Sequence, residues 1–224
     1  MWSHINRGAF LFLLFLFSGV DELKGNTLNN YCNNTKEIVN LNFIVDDGLN
    51  NVEVLEKVNL WLRTSNDILS NSCIPIHKRV NSIYFNENSI SDYVNKRNPS
   101  IGFLLMDEIK DEKFILLSKW SLMVYIMDLS DESELLGYTK PTVYPYSIII
   151  DANADDHILE HESGHLSGAF HNEFSICGNK VSIMVESAPI EDISYSYSIG
   201  DNANCKGGNN RKNVYNYYFD KDDQ

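Results

Sequence analysis

Residues 161–171 read His161-Glu162-Ser163-Gly164-His165-Leu166-Ser167-Gly168-Ala169-Phe170-His171. His161 and His165 stand four apart, so on a helix both imidazoles share one face and can reach one ion. Glu162 lies about 100° further round, beside a bound metal rather than on it. His171 follows His165 by six residues, which would carry it to the far side of a continuing helix. The helix must therefore stop, and Gly168 supplies the stop, because glycine takes the left-handed C-terminal position at little cost. The chain then reverses and His171 returns as third ligand. Three histidines with an open fourth position form the donor set of a catalytic zinc, whereas structural zinc is usually closed by four protein ligands. His157 also shares the face of His161 and His165. Three ligands at successive turns would span about 12 Å at about 1.5 Å per residue, too far for Zn–N bonds of about 2.1 Å. His157 is therefore expected at the surface or behind the ligands.

The elements that must position this window are legible from periodicity. Val39–Val45 alternates as a strand and Asp46-Asp47-Gly48 ends it. From Asn51, Val54, Leu55, Val58, Trp61, Leu62, Ile68 and Leu69 fall at helical spacing and predict a long amphipathic helix to about Asn71. Val80–Phe85 reads as a strand, and Ser89–Asn98 is polar until Asn98-Pro99 breaks it. Ile101–Ile109 reads as a helix, and Ser121–Met127 as a strand buried on both faces. Asp128–Glu134 is an acidic loop. Leu135–Lys140 is expected at a sheet edge, since Pro141 follows. Ser147–Asp151 is another buried strand, and a helix starts from about Asp155. This order is α/β (α+β), a mixed sheet with long helices. After Gly168 the character changes to cysteines, glycines and a Ser/Tyr-rich stretch, which predicts an upper lobe of about 31–168 and a smaller, irregular lower lobe of about 169–224. Asn202–Gln224 reads as polar and acid-ended.

The chain has 224 residues and a net charge of −13. That charge argues against nucleic acid or an anionic membrane as partner. A hydrophobic fraction of 43% supports a packed core and excludes wholesale disorder. The length suits one domain, expected to be a monomer. Ala9–Val20 is almost unbroken apolar sequence, the length of a signal-peptide core and too short for a membrane span of about 20 residues. Residues 1–25 are thus expected to be a signal peptide, with the mature chain beginning between Gly19 and Asn26. The catalytic domain would be 26–224, secreted or periplasmic, with no membrane contact after cleavage. Export makes disulfides the expected state of Cys32, Cys73, Cys177 and Cys205. Four cysteines allow three pairings, of which Cys32–Cys73 with Cys177–Cys205 is the most economical if each lobe closes itself.

The spacing His-Glu-x-x-His-x-x-Gly-x-x-His at His161–His171 resembles the signature of the metzincin clan of zinc metallopeptidases. Ser182-Ile183-Met184-Val185 resembles that clan's methionine turn, with Met184 beneath the metal. The order of elements over Val39–Pro189 is also similar to the clan's. Within it, the Cys177…Cys205 framing is nearest to adamalysin (reprolysin)-like members. The resemblance implies a metzincin-like zincin fold and one catalytic Zn2+ on His161, His165 and His171. Gly168 and Met184 would be structural supports. A secreted endopeptidase acting on polypeptides follows, with Glu162 as general base toward a zinc-activated water. The substrate would lie extended against the edge near Leu135–Thr139, and Glu186–Pro189 would wall a primed-side pocket. The sequence departs from the pattern in three places. Asn172 stands where adamalysins have Asp. Glu186 stands where a tyrosine ligand would follow the methionine. Few residues separate the apolar segment from the first strand, so no inhibitory prodomain is expected. The alternative is a catalytically silent zinc-binding secreted module or adhesin of the same fold; an aminopeptidase would need an anchoring acid, for which Glu186 is the candidate.

Other features support less. Asp151-Ala152-Asn153-Ala154-Asp155 begins like a calcium loop, but Asp156 stands where an EF-hand needs glycine. Ca2+ thus has no motif here, and the stretch reads as a helix N-cap with acids in the first turn. His77, beside Lys78 and Arg79, reads as solvated. Tyr195 and Tyr197 are candidates to assist an oxyanion, but in a Ser/Tyr-rich stretch they read first as packing or surface residues. Asn33-Asn34-Thr35 is a glycosylation sequon.

Overall fold

The computed structural model describes residues 36–86, 100–129, 136–173, 176–177, 180–185, 194–198 and 208–220. The expected signal peptide, Cys32, the sequon, Ser89–Asn98, most of the acidic loop, Glu186–Pro189 and Cys205 lie outside the described residues. Cys73 is disulfide-bonded. Its partner and the side chain of Cys177 are likewise outside them.

The protein is a mixed α/β structure. β1 (Glu37–Val45), β2 (Ile76–Phe85), β3 (Ser121–Met127), β4 (Gly137–Lys140) and β5 (Tyr144–Asp151) form one sheet in the order β2-β1-β3-β5-β4. All neighbours are parallel except β4, which runs antiparallel to β5 at the edge. Alternation sorts the side chains to two faces. Leu41, Phe43, Leu122, Val124, Ile126, Ile148 and Ile150 face one core. Ile44, Met123, Tyr125, Met127 and Ile149 face the other, against Phe103 and Met106 of α2 (Ser100–Glu112). Covering both faces explains why β3 reads as a continuous apolar run.

α1 (Asn51–Asn71) crosses from β1 to β2 and buries Val54, Val58, Trp61, Ile68 and Leu69 on the first face. Its bounds are those its periodicity predicts. Asn50 caps it, accepting from the backbone N–H groups of Val52 and Glu53. β2 begins earlier than expected, at Ile76, because its first half is parallel to β1 from Glu37 onward.

The stretch after β5 departs from expectation. α3 runs Ile158–Leu166, starting later than Asp155, and its cap residue His157 makes no side-chain cap bond. Asp151 instead turns the chain: its Oδ1 accepts from the N–H of Asn153 at 2.6 Å and its Oδ2 from Leu129 at 2.8 Å. The C-terminal region is also more regular than its composition predicts. β6 (Ile176–Cys177), β7 (Lys180–Ser182) and β8 (Ser194–Ser196) form a three-stranded sheet. α4 (Asn210–Phe219) buries Asn210, Val214 and Tyr218. Val214, Tyr218, Ile183 and Met184 join the same core as α1 and the large sheet. Trp120 packs on Tyr218 and Phe219, so the end of the chain returns to the sheet. Among the described residues, no helix is long and apolar enough to cross a membrane.

Candidate metal centre

α3 carries His161, Glu162 and His165, and its end places His171. Gly168 has φ +77°, the conformation that stops a helix cheaply. Its N–H reaches His165 O at 3.2 Å and the N–H of Ala169 reaches Gly164 O at 2.9 Å, a double closure that satisfies carbonyls of the last turn. The reversed chain then enters a 3-10 turn at His171–Glu173. This reversal is held from a distance. Asn210 of α4, fully buried, pairs its side-chain amide with the backbone of Phe170, accepting at 2.9 Å and donating at 3.0 Å. Asn213 donates to Gly168 O at 3.0 Å.

The three imidazoles converge on one point. His171 Nε2 lies 3.0 Å from His161 Nε2 and 2.9 Å from His165 Nε2, and the three ligand atoms all lie within 4.8 Å of one another. A tetrahedral ion with bonds of about 2.1 Å would separate its ligands by about 3.4 Å, so a slight expansion accommodates one. The tautomers favour a cation. His161 Nδ1 donates to Ile183 O at 2.8 Å and His165 Nδ1 to Ala169 O at 3.1 Å. With Nδ1 protonated, both Nε2 atoms present lone pairs to the shared point. Burial lowers the His161 pKa to about 4, against the opposing bond to Ile183, and lowers that of His165 as well. Neutral imidazole is the ligating form. The donor set therefore fits a metal ion. His157 is not part of it: its ring stacks on Tyr195 at 4.7 Å.

Glu162 is 5% exposed and points toward the edge strand. Burial raises its pKa to about 8, partly offset by a hydrogen bond with Thr139. A Cβ built on Gly137 would stand 2.6 Å from Glu162 Cγ and 2.7 Å from its Oε1. A side chain at 137 would force the Glu162 side chain or β4 to shift. Beneath the helix, Ser182–Val185 forms a turn closed by Val185 N–H to Ser182 O at 3.1 Å. Met184 is fully buried, and its Sδ would be 2.8 Å from a Cβ at Gly164. The absence of a side chain at 164 is what admits the methionine under α3.

The sequence singled out His161, Glu162, His165, Gly168, His171 and Met184; the structure brings the three histidines together, sets the Glu162 side chain against Gly137 and packs Met184 against Gly164 of the same helix. It did not single out Gly137, Thr139, Asn210 or the carbonyls of Ile183 and Ala169. His77 also differs from expectation, and its neighbour Lys78 was not singled out. Lys78 is 2% exposed and His77 is half-buried rather than solvated.

No protein-family model and no curated protein matches the chain. Among solved structures it is similar to a chain in "Structure of a chaperone-substrate complex", with a TM-score of 0.52 and 15% identity. The match covers 80% of this chain and 37% of that one, so this chain spans little over a third of its neighbour. At this identity the likeness concerns the fold alone, a mixed α/β sheet with helices.

Proposed function

We propose that the chain is an exported zinc-dependent endopeptidase of metzincin type, with His161, His165 and His171 as ligands and Glu162 as general base. The observation that carries this reading is the convergence of three imidazole Nε2 atoms, on a helix whose Glu162 is buried against the edge strand. A zinc ion bound there would supply Lewis acidity toward a peptide carbonyl and a nucleophilic water near neutral pH. The residues of the chain do the rest. Glu162, buried one residue along α3 from His161, accepts a proton at its carboxylate and returns it to the leaving amine. Thr139 holds that carboxyl in place. Among the described residues β4 pairs with β5 on one side only, and its outer edge suits an extended polypeptide. Met184 and Gly164 pack the floor of the site so that His161 and His165 keep their separation.

Export is supported by the apolar stretch Ala9–Val20 and by the disulfide at Cys73, a bond that persists in oxidising compartments. The rival reading is a zinc-binding module without catalysis. Metal analysis of the mature protein with a peptide-library digest, run beside Glu162→Gln, separates them. The enzyme reading expects about one zinc per chain in both proteins and hydrolysis in the parent alone, lower in the variant by several orders of magnitude. Cleavage inside peptides rather than from their ends excludes the aminopeptidase. A zinc-loaded, proteolytically silent parent refutes the enzyme; undiminished turnover in Glu162→Gln refutes the role of Glu162.

A further inference from the structure

Immediately before the first ligand stands a buried charged network that the proposed reaction does not use. Lys78 Nζ meets Glu160 Oε2 at 2.6 Å, with both side chains 1% exposed. Ser65 of α1 donates its hydroxyl to the same oxygen. Tyr197 donates to Glu160 Oε1 at 2.6 Å and lies 3.2 Å from Glu160 O. Glu160 is thus gripped from α1, from β2 and from the segment after β8. Burial lowers the Lys78 pKa, and Glu160 opposes that shift. A buried ion pair is a poor source of stability compared with apolar packing, and its best-attested use is to fix one arrangement among several.

α3 needs such fixing. It has nine residues, no side-chain N-cap and an internal glycine, so little in its own sequence sets its rotation. A histidine Nε2 stands about 7 Å from a helix axis, so a 5° rotation moves it by about 0.6 Å. Metal–ligand distances tolerate about 0.2 Å. Tyr197 also links the network to His161 itself. Its N–H donates to Ser72 Oγ at 2.8 Å, and the preceding carbonyl, Ser196 O, accepts from the N–H of Ile183 at 2.9 Å. Ile183 O is the acceptor that fixes His161 Nδ1. The same Tyr197 hydroxyl would lie 3.0 Å from a Cβ at Gly164, so it contacts α3 at positions one helical turn apart, on the face next to that of His161 and His165.

We propose that Lys78 is a positioning residue for the metal centre: through Glu160 and Tyr197 it fixes the rotation of α3 and the acceptor that orients His161. This rests on the metal reading above. The test uses the full mature chain, with cobalt(II) absorption and zinc competition as probes beside circular dichroism and peptide kinetics. Lys78→Met and Tyr197→Phe are expected to bind metal about 10–100-fold more weakly. They should also alter the cobalt absorption bands and lower kcat with KM nearly unchanged. Tyr197→Phe removes one hydroxyl and carries the test if Lys78→Met does not fold. Lys78→Met/Glu160→Gln relieves the uncompensated buried charge, so it should regain melting temperature while remaining weak for metal. Parental metal affinity and cobalt spectrum in folded Lys78→Met or Tyr197→Phe would overturn the inference. Recovery of both stability and metal affinity in the double variant would also overturn it, leaving only charge balance. A parent that binds neither zinc nor cobalt sinks the metal reading instead.

Discussion

Gly137→Ala tests the closest approach in the site. The new Cβ would stand 2.6 Å from Glu162 Cγ and 2.8 Å from its Cδ, whereas carbon atoms rest at about 3.5–4.0 Å. The two groups must separate by about 1 Å. The backbone of β4 is pinned by its ladder to β5, from Gly137 opposite Ile150 to Thr139 opposite Ile148. The Glu162 carboxyl is the end of a side chain with rotatable bonds, so it is the part that moves. Fold and metal should survive while the base is displaced. A misplacement of about 1 Å costs on the order of 10²-fold in rate. The assay is kcat/KM on an internally quenched peptide with zinc content measured on the same samples. In a Glu162→Ala background, Gly137→Ala should add little further loss, because both act on one group. Parental activity in Gly137→Ala, or loss of zinc from it, refutes the reasoning.

Three further outcomes follow from the described geometry. His171→Ala should lose tight metal binding and activity, while His157→Ala should keep about one zinc per chain, because His157 stacks on Tyr195 rather than facing the ligands; metal analysis of the two decides it, and the reverse result refutes the ligand assignment. Gly164→Ala gains about 1 kcal/mol of helix propensity but crowds Met184 Sδ at 2.8 Å and the Tyr197 ring at 3.2 Å. Overpacking costs typically 1–3 kcal/mol, so thermal melting should show a net loss of stability. The His77 pKa is lowered by burial first, then by Lys36 and Arg79. The unfolded chain therefore protonates first as pH falls through about 6.5, and this contribution to stability is present above that pH and lost below it. Melting between pH 7.5 and 5 should fall less steeply in His77→Asn than in the parent.

The convergence of the three histidines was legible because its signal is local. Spacing on one helix and one glycine decide where His161, His165 and His171 go, and the φ of Gly168 is what the spacing demands. α1 was legible for a similar reason, since its buried stripe repeats over five turns. Lys78 was not. It sits in a Lys-Arg pair that looks solvated, and its partner Glu160 lies 82 positions away. Only tertiary packing decides that such a charge is buried. α4 was missed because its composition is polar and tyrosine-rich. Its signal was thin but present: Asn209 as cap, then Asn210, Val214 and Tyr218 buried at intervals of four. The same limit hid Gly137, whose significance is set by a side chain on another element.

The pairing of Asn210 with the backbone of Phe170 gives the site an order of assembly. During synthesis the whole motif, from His161 to His171, emerges while Asn210 is still about 40 residues from being translated. Until α4 docks, nothing described from that end of the chain holds the loop that delivers His171. A nascent chain ending before Asn210 would carry all three histidines without the contacts from α4 that brace their loop. The convergence of the three histidines would then be completed last, after the rest of the fold has closed.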